Sequence, residues 1–339
     1  MFDDEGFLAR TSEKWQKVCS LAPELHHRSL RAGIGPQTLK LIPWSGLRHF
    51  VEISKRNDTL HAGINILDQS FFHVYLDRLP VVLHLMAQTA ASVTHVWCDL
   101  GDSCSDQKRG CLGFCSEKTD PILIPDCGFF NTNAYADMRA ELRTQRRWQE
   151  RQNEILWRGS TTGGTGRIPD ASTSLDAADT LPRIRMCAIL KGHSGVDVKI
   201  LRCVQDDGPS LENRLREEGV FDPHRVEERS WLDRKFAIDI DGNSNAWSNL
   251  FIRLLFGCCV IKVSSPKGYR QWYYDELEPY MHYVPVRADM SDFADQIEWC
   301  RQNEDHCSQI AAAGQKLALS MTLRTELRAA IGRINERHG

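Results

Sequence analysis

KFAIDIDGNSNAWSNLFIRLLFGCCVIKV, residues 235–263, is the stretch whose reading decides the fold. Phe236, Ile238 and Ile240 alternate with Ala237, Asp239 and Asp241, which predicts a half-buried strand whose polar face ends in acidic and small residues. Gly242 permits a sharp change of direction, and Ser244 or Asn245 is placed to cap a helix. Trp247, Leu250, Phe251, Leu254 and Leu255 then recur at helical spacing on one face. A helix that starts at the carboxyl end of a strand aims its unpaired N–H groups and the positive end of its dipole at the place where open α/β sheets bind phosphates. The same unit is also an ordinary connection in every doubly wound fold, so the geometry alone leaves both readings open.

Outward from this stretch, the second half alternates regularly. Strands are expected over 155–158, 196–201, 236–240, 260–263 and 283–286, with helices over 181–190, 224–232, 246–256, 270–277 and 291–303, the last capped by Ser291. The first half reads as a helix over 7–21, a strand over 50–53, a helix over 79–92, a strand over 94–100 and short strands over 112–115 and 122–124. Residues 134–153 read as a charged, exposed connecting helix. The class is α/β, and three parts are expected: 1–153, 154–305, and terminal helices over 306–339 that pack back on the first domain.

The 339 residues fit two domains, and two domains imply a cleft. A net charge of −3 without a basic tract argues against a dedicated nucleic-acid binder and for a small ligand. The opening MFDDEGFLARTSEKWQ is acidic and polar where an export signal has a basic start and an apolar run, so no export signal is expected. The richest apolar run, 79–91, carries His84 and Gln88 and is too short to span a bilayer, which leaves peripheral membrane contact open. Twelve cysteines with no disulfide-type spacing point to reduced thiols and a cytoplasmic location. Cys104, Cys111, Cys115 and Cys127 lack the paired knuckle of a structural zinc site, and no metal is expected.

Two other constellations could carry chemistry. ILWRGSTTGGTGR, residues 155–167, is an apolar strand ending in Arg158, Gly159 and Ser160 before a glycine-rich turn. Its backbone N–H groups could meet an anion and Arg158 could supply a forked contact, although neither the Walker loop nor the dinucleotide fingerprint fits, and a plain flexible loop is the other reading. In HVWCDLGD, residues 95–102, a strand ends in Asp99 and Asp102; a carboxylate there can act as a general base, while most such aspartates only cap turns.

Together these places resemble one family, the capsule-associated, lipopolysaccharide-modifying glycosyltransferases, whose eukaryotic members include protein O-glucosyl- and O-xylosyltransferases. The matching words are WRGS at 157–160, KFAIDIDGNSNAWS at 235–248 and QWYYDELEPYMHYVPV at 271–286, in order and spacing over roughly residues 70–320. The resemblance implies a GT-B fold, two Rossmann-like domains facing across a cleft, and inverting transfer of a sugar such as glucose or xylose from a UDP-sugar. The acceptor would be a hydroxyl of a glycan, lipid-linked or protein substrate, with no cofactor and no essential metal. It implies Asp99 as the catalytic base, with Asp102 as the alternate. Donor contacts would come from Arg158, Gly159 and Ser160 and from the turn with Gly242, Ser244, Asn245, Ala246, Trp247, Ser248 and Asn249.

The chain departs from the family at Asn249 or Leu250, where an arginine is usual; Arg253 or Arg270 is the expected replacement. Gln271 stands where glutamate is frequent and Glu117 where lysine is common. The alternative that these departures support is a non-catalytic sugar- or nucleotide-binding relative of the same fold. A glycosidase with paired carboxylates would leave the Rossmann-like half unexplained.

Overall fold

A computed structural model describes Glu24 and residues 39–44, 47–56, 59–65, 69–104, 110–204 and 209–339. The helix predicted over 7–21 lies outside the described residues. The chain forms two compact α/β units: Met1–Ala134 with Arg270–Trp272 and Thr322–Gly339, and Tyr135–Tyr269 with Tyr273–Met321. The sequence passes between them at 134/135 rather than at 153/154, and 306–321 stay with the second unit.

The first unit holds β1 (Leu39–Trp44), β2 (Phe50–Arg56), β3 (Thr59–Asn65), β4 (His95–Asp99), β5 (Leu112–Gly113) and β6 (Ile122–Leu123), in the sheet order β1-β3-β2-β4-β5-β6. The sheet is mixed, because β2 runs antiparallel to both β3 and β4 while the other pairs are parallel. Only two positions separate β2 from β3. A parallel pair needs a crossover of a dozen residues, which this spacing does not allow, and with its antiparallel pairs the unit departs from the doubly wound pattern expected of it. Helix α1 (Phe72–Gln88) carries Pro80 in its interior and buries Leu79, Val82, Leu83 and Met86. It starts seven residues before the predicted helix, with Pro80 in its ninth position rather than its first turn. Helix α2 (Cys127–Asn131) is capped by Asp126, which accepts from Phe129 N at 2.8 Å.

The second unit is a parallel sheet of β7 (Gln152–Ser160), β8 (Val196–Arg202), β9 (Arg234–Asp239), β10 (Cys259–Val263) and β11 (Val284–Val286), ordered β11-β10-β9-β7-β8. Its helices are α3 (Ala136–Glu141), α4 (Pro182–Leu190), α5 (Pro209–Glu217), α6 (Ser248–Leu255), α7 (Phe293–Gln302) and α8 (Glu304–Ser320). Central strands of a parallel sheet are covered on both faces, and 235–239 are buried throughout, so β9 is not half-exposed as its alternation suggested. Helix α6 is covered on nearly every side: Leu250, Phe251, Leu254 and Leu255 are at most 1% exposed.

Three predicted helices change form. The 134–153 segment holds only α3 and two 3-10 turns at 142–144 and 148–150 before β7 begins. Asn133, Ala134 and Tyr135 have φ of 52°, 57° and 59°, a left-handed run that a helix cannot include. Arg139 in α3 donates to the carbonyls of Ala318 at 2.9 Å and Met321 at 2.7 Å, which ties this segment into the second unit. The 224–232 and 270–277 predictions contain only 3-10 turns, Glu228–Asp233 and Tyr274–Glu276. At the start of α7 the N-cap is Asp292, and the Ser291 hydroxyl donates instead to Asp289 at 2.8 Å.

Helix α9 (Leu323–His338) belongs to the first unit. Thr322 caps it, the Asn335 side chain accepts from Ala90 N at 2.9 Å, and Arg333 donates to Leu123 O at 3.0 Å.

Ile261, fully buried on β10 between β9 and β11, tests the second core. Ile261→Ala is expected to lower the unfolding free energy by about 2–5 kcal/mol in a denaturant titration, from lost transfer energy plus the cavity left behind.

Candidate functional site

At the carboxyl ends of β7 and β9, the two turns singled out in the sequence lie against each other. Gly164 N donates to Gly242 O at 2.9 Å. A Cβ at 164 would stand 2.5 Å from Asn243 O, and one at 242 would stand 2.9 Å from the Thr162 hydroxyl and 3.0 Å from Arg183. Gly164 is therefore required by close backbone approach and Gly242 by the packed Thr162 and Arg183 side chains, and the glycine-rich loop is a packed element rather than a free one.

Buried charge organises the strand ends beneath these turns. Asp239 is fully buried; its Oδ2 meets Lys262 Nζ at 3.1 Å and its Oδ1 accepts from Asn249 Nδ2 at 2.8 Å. Asn249 also donates to Ile238 O at 3.2 Å, so the first turn of α6 is fastened to β9 by a side-chain amide. Burial pulls the Lys262 ammonium toward losing its proton, but the facing carboxylates of Asp239 and Asp241 outweigh this and its pKa is raised. The ammonium also lies 4.9 Å from the centre of the Tyr274 ring. Arg183, in the first turn of α4, donates to Thr162 Oγ1 at 2.7 Å and to the carbonyls of Asp241 at 2.9 Å and Ile240 at 3.1 Å. Its guanidinium sits 5.7 Å over the Trp157 ring, and burial lowers its pKa. One arginine thus joins α4, the loop after β7 and the end of β9.

Beside this network lies a small pocket, partly open to solvent, with Gly164, Thr165, Asp241, Gly242, Lys267 and Tyr269 in its wall. Asp241 is 8% exposed, and neither carboxylate oxygen has a donor in hydrogen-bond geometry. Burial, the largest influence, pushes its pKa up to about 6 against the opposing pull of Lys262, Ser265 and Arg183. Ser244 Oγ and Asn245 Nδ2, on residues 2% exposed, also lack partners. Native interiors pair nearly all such atoms, so unpaired side-chain atoms on three residues of one short turn need a reason.

The remaining predicted donor residues are placed as follows. Arg158 donates to Asp197 Oδ2 at 2.5 Å and to the Asp197 carbonyl at 2.9 Å, lies 3.7 Å from Asp222, and does not line the pocket. Gly159 abuts the Trp157 ring, and Ser160 Oγ is 3.4 Å from Thr162 Oγ1. Neither Ser244 nor Asn245 caps α6: the N-cap is Trp247, and the Asn245 side chain accepts from Trp247 N at 3.2 Å. Trp247 has φ 49° and ψ −121°, a conformation natural to glycine, so the turn holds a strained residue. Ala246 O accepts from Asn249 N at 3.1 Å, and Ser248 opens α6. Arg253 is bound to Glu228 and stacks 3.7 Å over Trp231. Arg270 belongs to the first unit, where its backbone pairs with Ser116.

In the first unit Asp99 ends β4, is 1% exposed, and accepts from Gly101 N at 2.8 Å. Asp102 has a side chain 47% exposed and pairs with Arg78 at 3.0 Å. Among the described residues, no group of three or more His, Cys, Asp or Glu is arranged to hold a metal ion, and no helix is long and apolar enough to cross a membrane.

Arg183, Lys262, Asp241 and Lys267 were missed as site residues. Lys262 had a signal: one charge inside the apolar run CCVIKV must find a partner if the strand is buried. Arg183 follows Pro182 at a helix start, which marks the helix but not the arginine's target.

Comparison with known proteins supplies the context. Residues 107–326 match the model of glycosyl transferase family 90. An uncharacterized protein, 035R, of Invertebrate iridescent virus 3 is 43% identical over 166 residues, 48% of this chain and 14% of that protein. Human protein O-glucosyltransferase 3 is 32% identical over 84 residues, 25% of this chain and 16% of that one. The chain thus matches only a small part of the length of these relatives. The crystal structure of Anabaena HepE in complex with UDP-glucose aligns with 59% of this chain and 52% of its own at 12% identity and a TM-score of 0.34, a likeness too slight to carry an argument.

Asp241 yields a prediction with a definite sign. Its carboxyl holds a proton up to about pH 6 when folded but releases it near 3.8 in the unfolded chain, so its contribution favours the fold below 3.8 and is lost as pH rises through 6. Asp241→Asn keeps the shape without the charge and should exceed wild type in stability by up to about 3 kcal/mol above pH 7, with almost no gain below about pH 3.5. Urea unfolding at the two pH values checks this.

Proposed function

The chain belongs to glycosyl transferase family 90, and from that premise we propose that it transfers a sugar, glucose or a close relative such as xylose, from a UDP-sugar to an acceptor hydroxyl with inversion. The observation that carries this reading is the junction of the two glycine turns at the carboxyl ends of parallel strands, around a pocket with a lysine, an aromatic ring and a carboxylate in its wall. In a GT-B type of division, the second unit holds the donor and the first supplies the base. The acceptor in this reading is a hydroxyl on a protein or glycan; the protein O-glucosyltransferases among the relatives favour a protein.

Asp99 is the better base of the two aspartates, because it is buried at a strand end whereas Asp102 is exposed and engaged by Arg78. It takes the proton from the acceptor hydroxyl as the oxygen attacks the anomeric carbon and the nucleoside diphosphate departs from the opposite face. Lys267 and the N–H groups of residues 243–246 are proposed to meet the charge that grows on the leaving diphosphate. Arg158 and Arg253 do not enter this role, since Asp197 and Glu228 occupy their guanidiniums.

Release of UDP from UDP-glucose and UDP-xylose, with and without EDTA, tests the reading. Transfer is expected to persist in EDTA, and Asp99→Asn should slow it by about a hundredfold or more. Both proteins should gain about 2.7 kcal/mol of unfolding free energy at UDP a hundredfold above its Kd. Unchanged turnover in folded Asp99→Asn removes that residue as the base. Stabilisation by UDP without turnover on any acceptor identifies a binding protein instead of an enzyme.

A further inference from the structure

The unpaired carboxylate of Asp241 says more about the ligand than the phosphate-type turns do. It is 8% exposed, it belongs to the pocket wall, and neither oxygen has a donor. The charged and polar groups facing it come from every neighbouring element, and those bonded to something are bonded elsewhere. Lys262 of β10 binds Asp239, and Asp239 of β9 is closed off by Lys262 and Asn249. Arg183 of α4 directs its N–H groups to Thr162 and to the carbonyls of 240 and 241. Ser265 influences the carboxyl without reaching hydrogen-bond geometry, and Lys267 is an exposed residue of the same wall.

A phosphate placed against Asp241 would set anion against anion in a partly desolvated site. Two acceptor oxygens on one carbon, both lacking donors, match two adjacent hydroxyl groups, each able to donate one charge-assisted hydrogen bond. We infer that Asp241 is the ligand-selecting residue of this pocket, accepting both hydroxyl hydrogen bonds of a vicinal diol on the nucleotide-sugar donor, either that of its ribose or that of its sugar. The inference rests on the donor reading above. It assigns the polyhydroxyl part of the ligand to the Asp241 wall and leaves the phosphates to Lys267 and the turn.

The test is calorimetric titration of wild type and Asp241→Asn with UDP, 2′-deoxy-UDP and UDP-glucose, beginning above pH 7, where the carboxylate is ionised. A ribose diol predicts that UDP weakens by about tenfold or more in Asp241→Asn, and that 2′-deoxy-UDP binds wild type as poorly as UDP binds the variant. A sugar diol predicts unchanged UDP affinity with a similar loss confined to UDP-glucose. Affinities of Asp241→Asn within twofold of wild type for both UDP and UDP-glucose overturn the inference while the donor reading stands. Failure of wild type to bind any uridine nucleotide overturns both.

A second arm needs no variant at all to begin. Wild-type affinity for UDP-glucose, whose doubly esterified diphosphate does not titrate near pH 6, should fall as pH drops below 6, because protonation removes one acceptor, and the fall should vanish in Asp241→Asn. The same pH dependence surviving in the variant would assign it to the other facing groups and sink the proposal.

Discussion

Burial of two carboxylates at the end of one central strand is the constraint from which the second unit is built. β9 lies between β7 and β10 with both faces covered, so Asp239 cannot reach water. An ionised group in that position is tolerated only if it is paired and its remaining lone pairs are filled. Lys262 from the adjacent strand supplies the charge, and Asn249 from the following helix supplies a further hydrogen bond. This triad fixes the register of β9 against β10 and the start of α6 against both. Arg183 extends the same logic to α4 and to the loop after β7 by capping carbonyls at the strand's end.

With the strand ends fixed, the turns above them have little freedom. Gly164 and Gly242 meet backbone to backbone, and the chain beyond them bends so sharply that Trp247 adopts a conformation suited to glycine. Such strain, of order 1–3 kcal/mol for a residue in this region, persists only where the surroundings over-determine it. Here the buried side of α6 and the Asn249 anchor do so, and the result is a rigid rim of backbone groups beside the pocket.

How much of this was legible depended on whether a residue's role is set by its neighbours in sequence or by its neighbours in space. The parallel strands of the second unit were legible because Phe236, Ile238, Val260 and Ile261 sit in short apolar runs bounded by turn residues. The glycine turns were legible as turns, but their mutual contact joins positions far apart in sequence, and no local pattern encodes it. β2 and β3 were the reverse case: a two-position link settles their antiparallel pairing, yet β3 was never predicted as a strand. Arg158 shows the main limit. Its residue type and place at a strand end suit an anion, but Asp197 on the neighbouring strand takes its fork, and only the sheet order brings the two together.

The absent arginine of α6 then has a physical explanation that differs from loss of function. Position 249 faces Asp239, whose one strong cation is already Lys262. An amide there donates without adding charge, so the buried network of Asp239, Lys262 and Arg183 gains no third cation. A guanidinium in its place would add a second cation beside a carboxylate already neutralised, and its burial would need compensation that Asp239 can no longer give. Asp241 is the one carboxylate in the group left without a direct partner, and it is also the one in the pocket wall. An unpaired buried charge lowers stability at neutral pH, while the same carboxylate gives a ligand's hydroxyl groups a stronger acceptor than any neutral side chain could. The residue that the fold accommodates least well is therefore the one whose retention a binding function best explains.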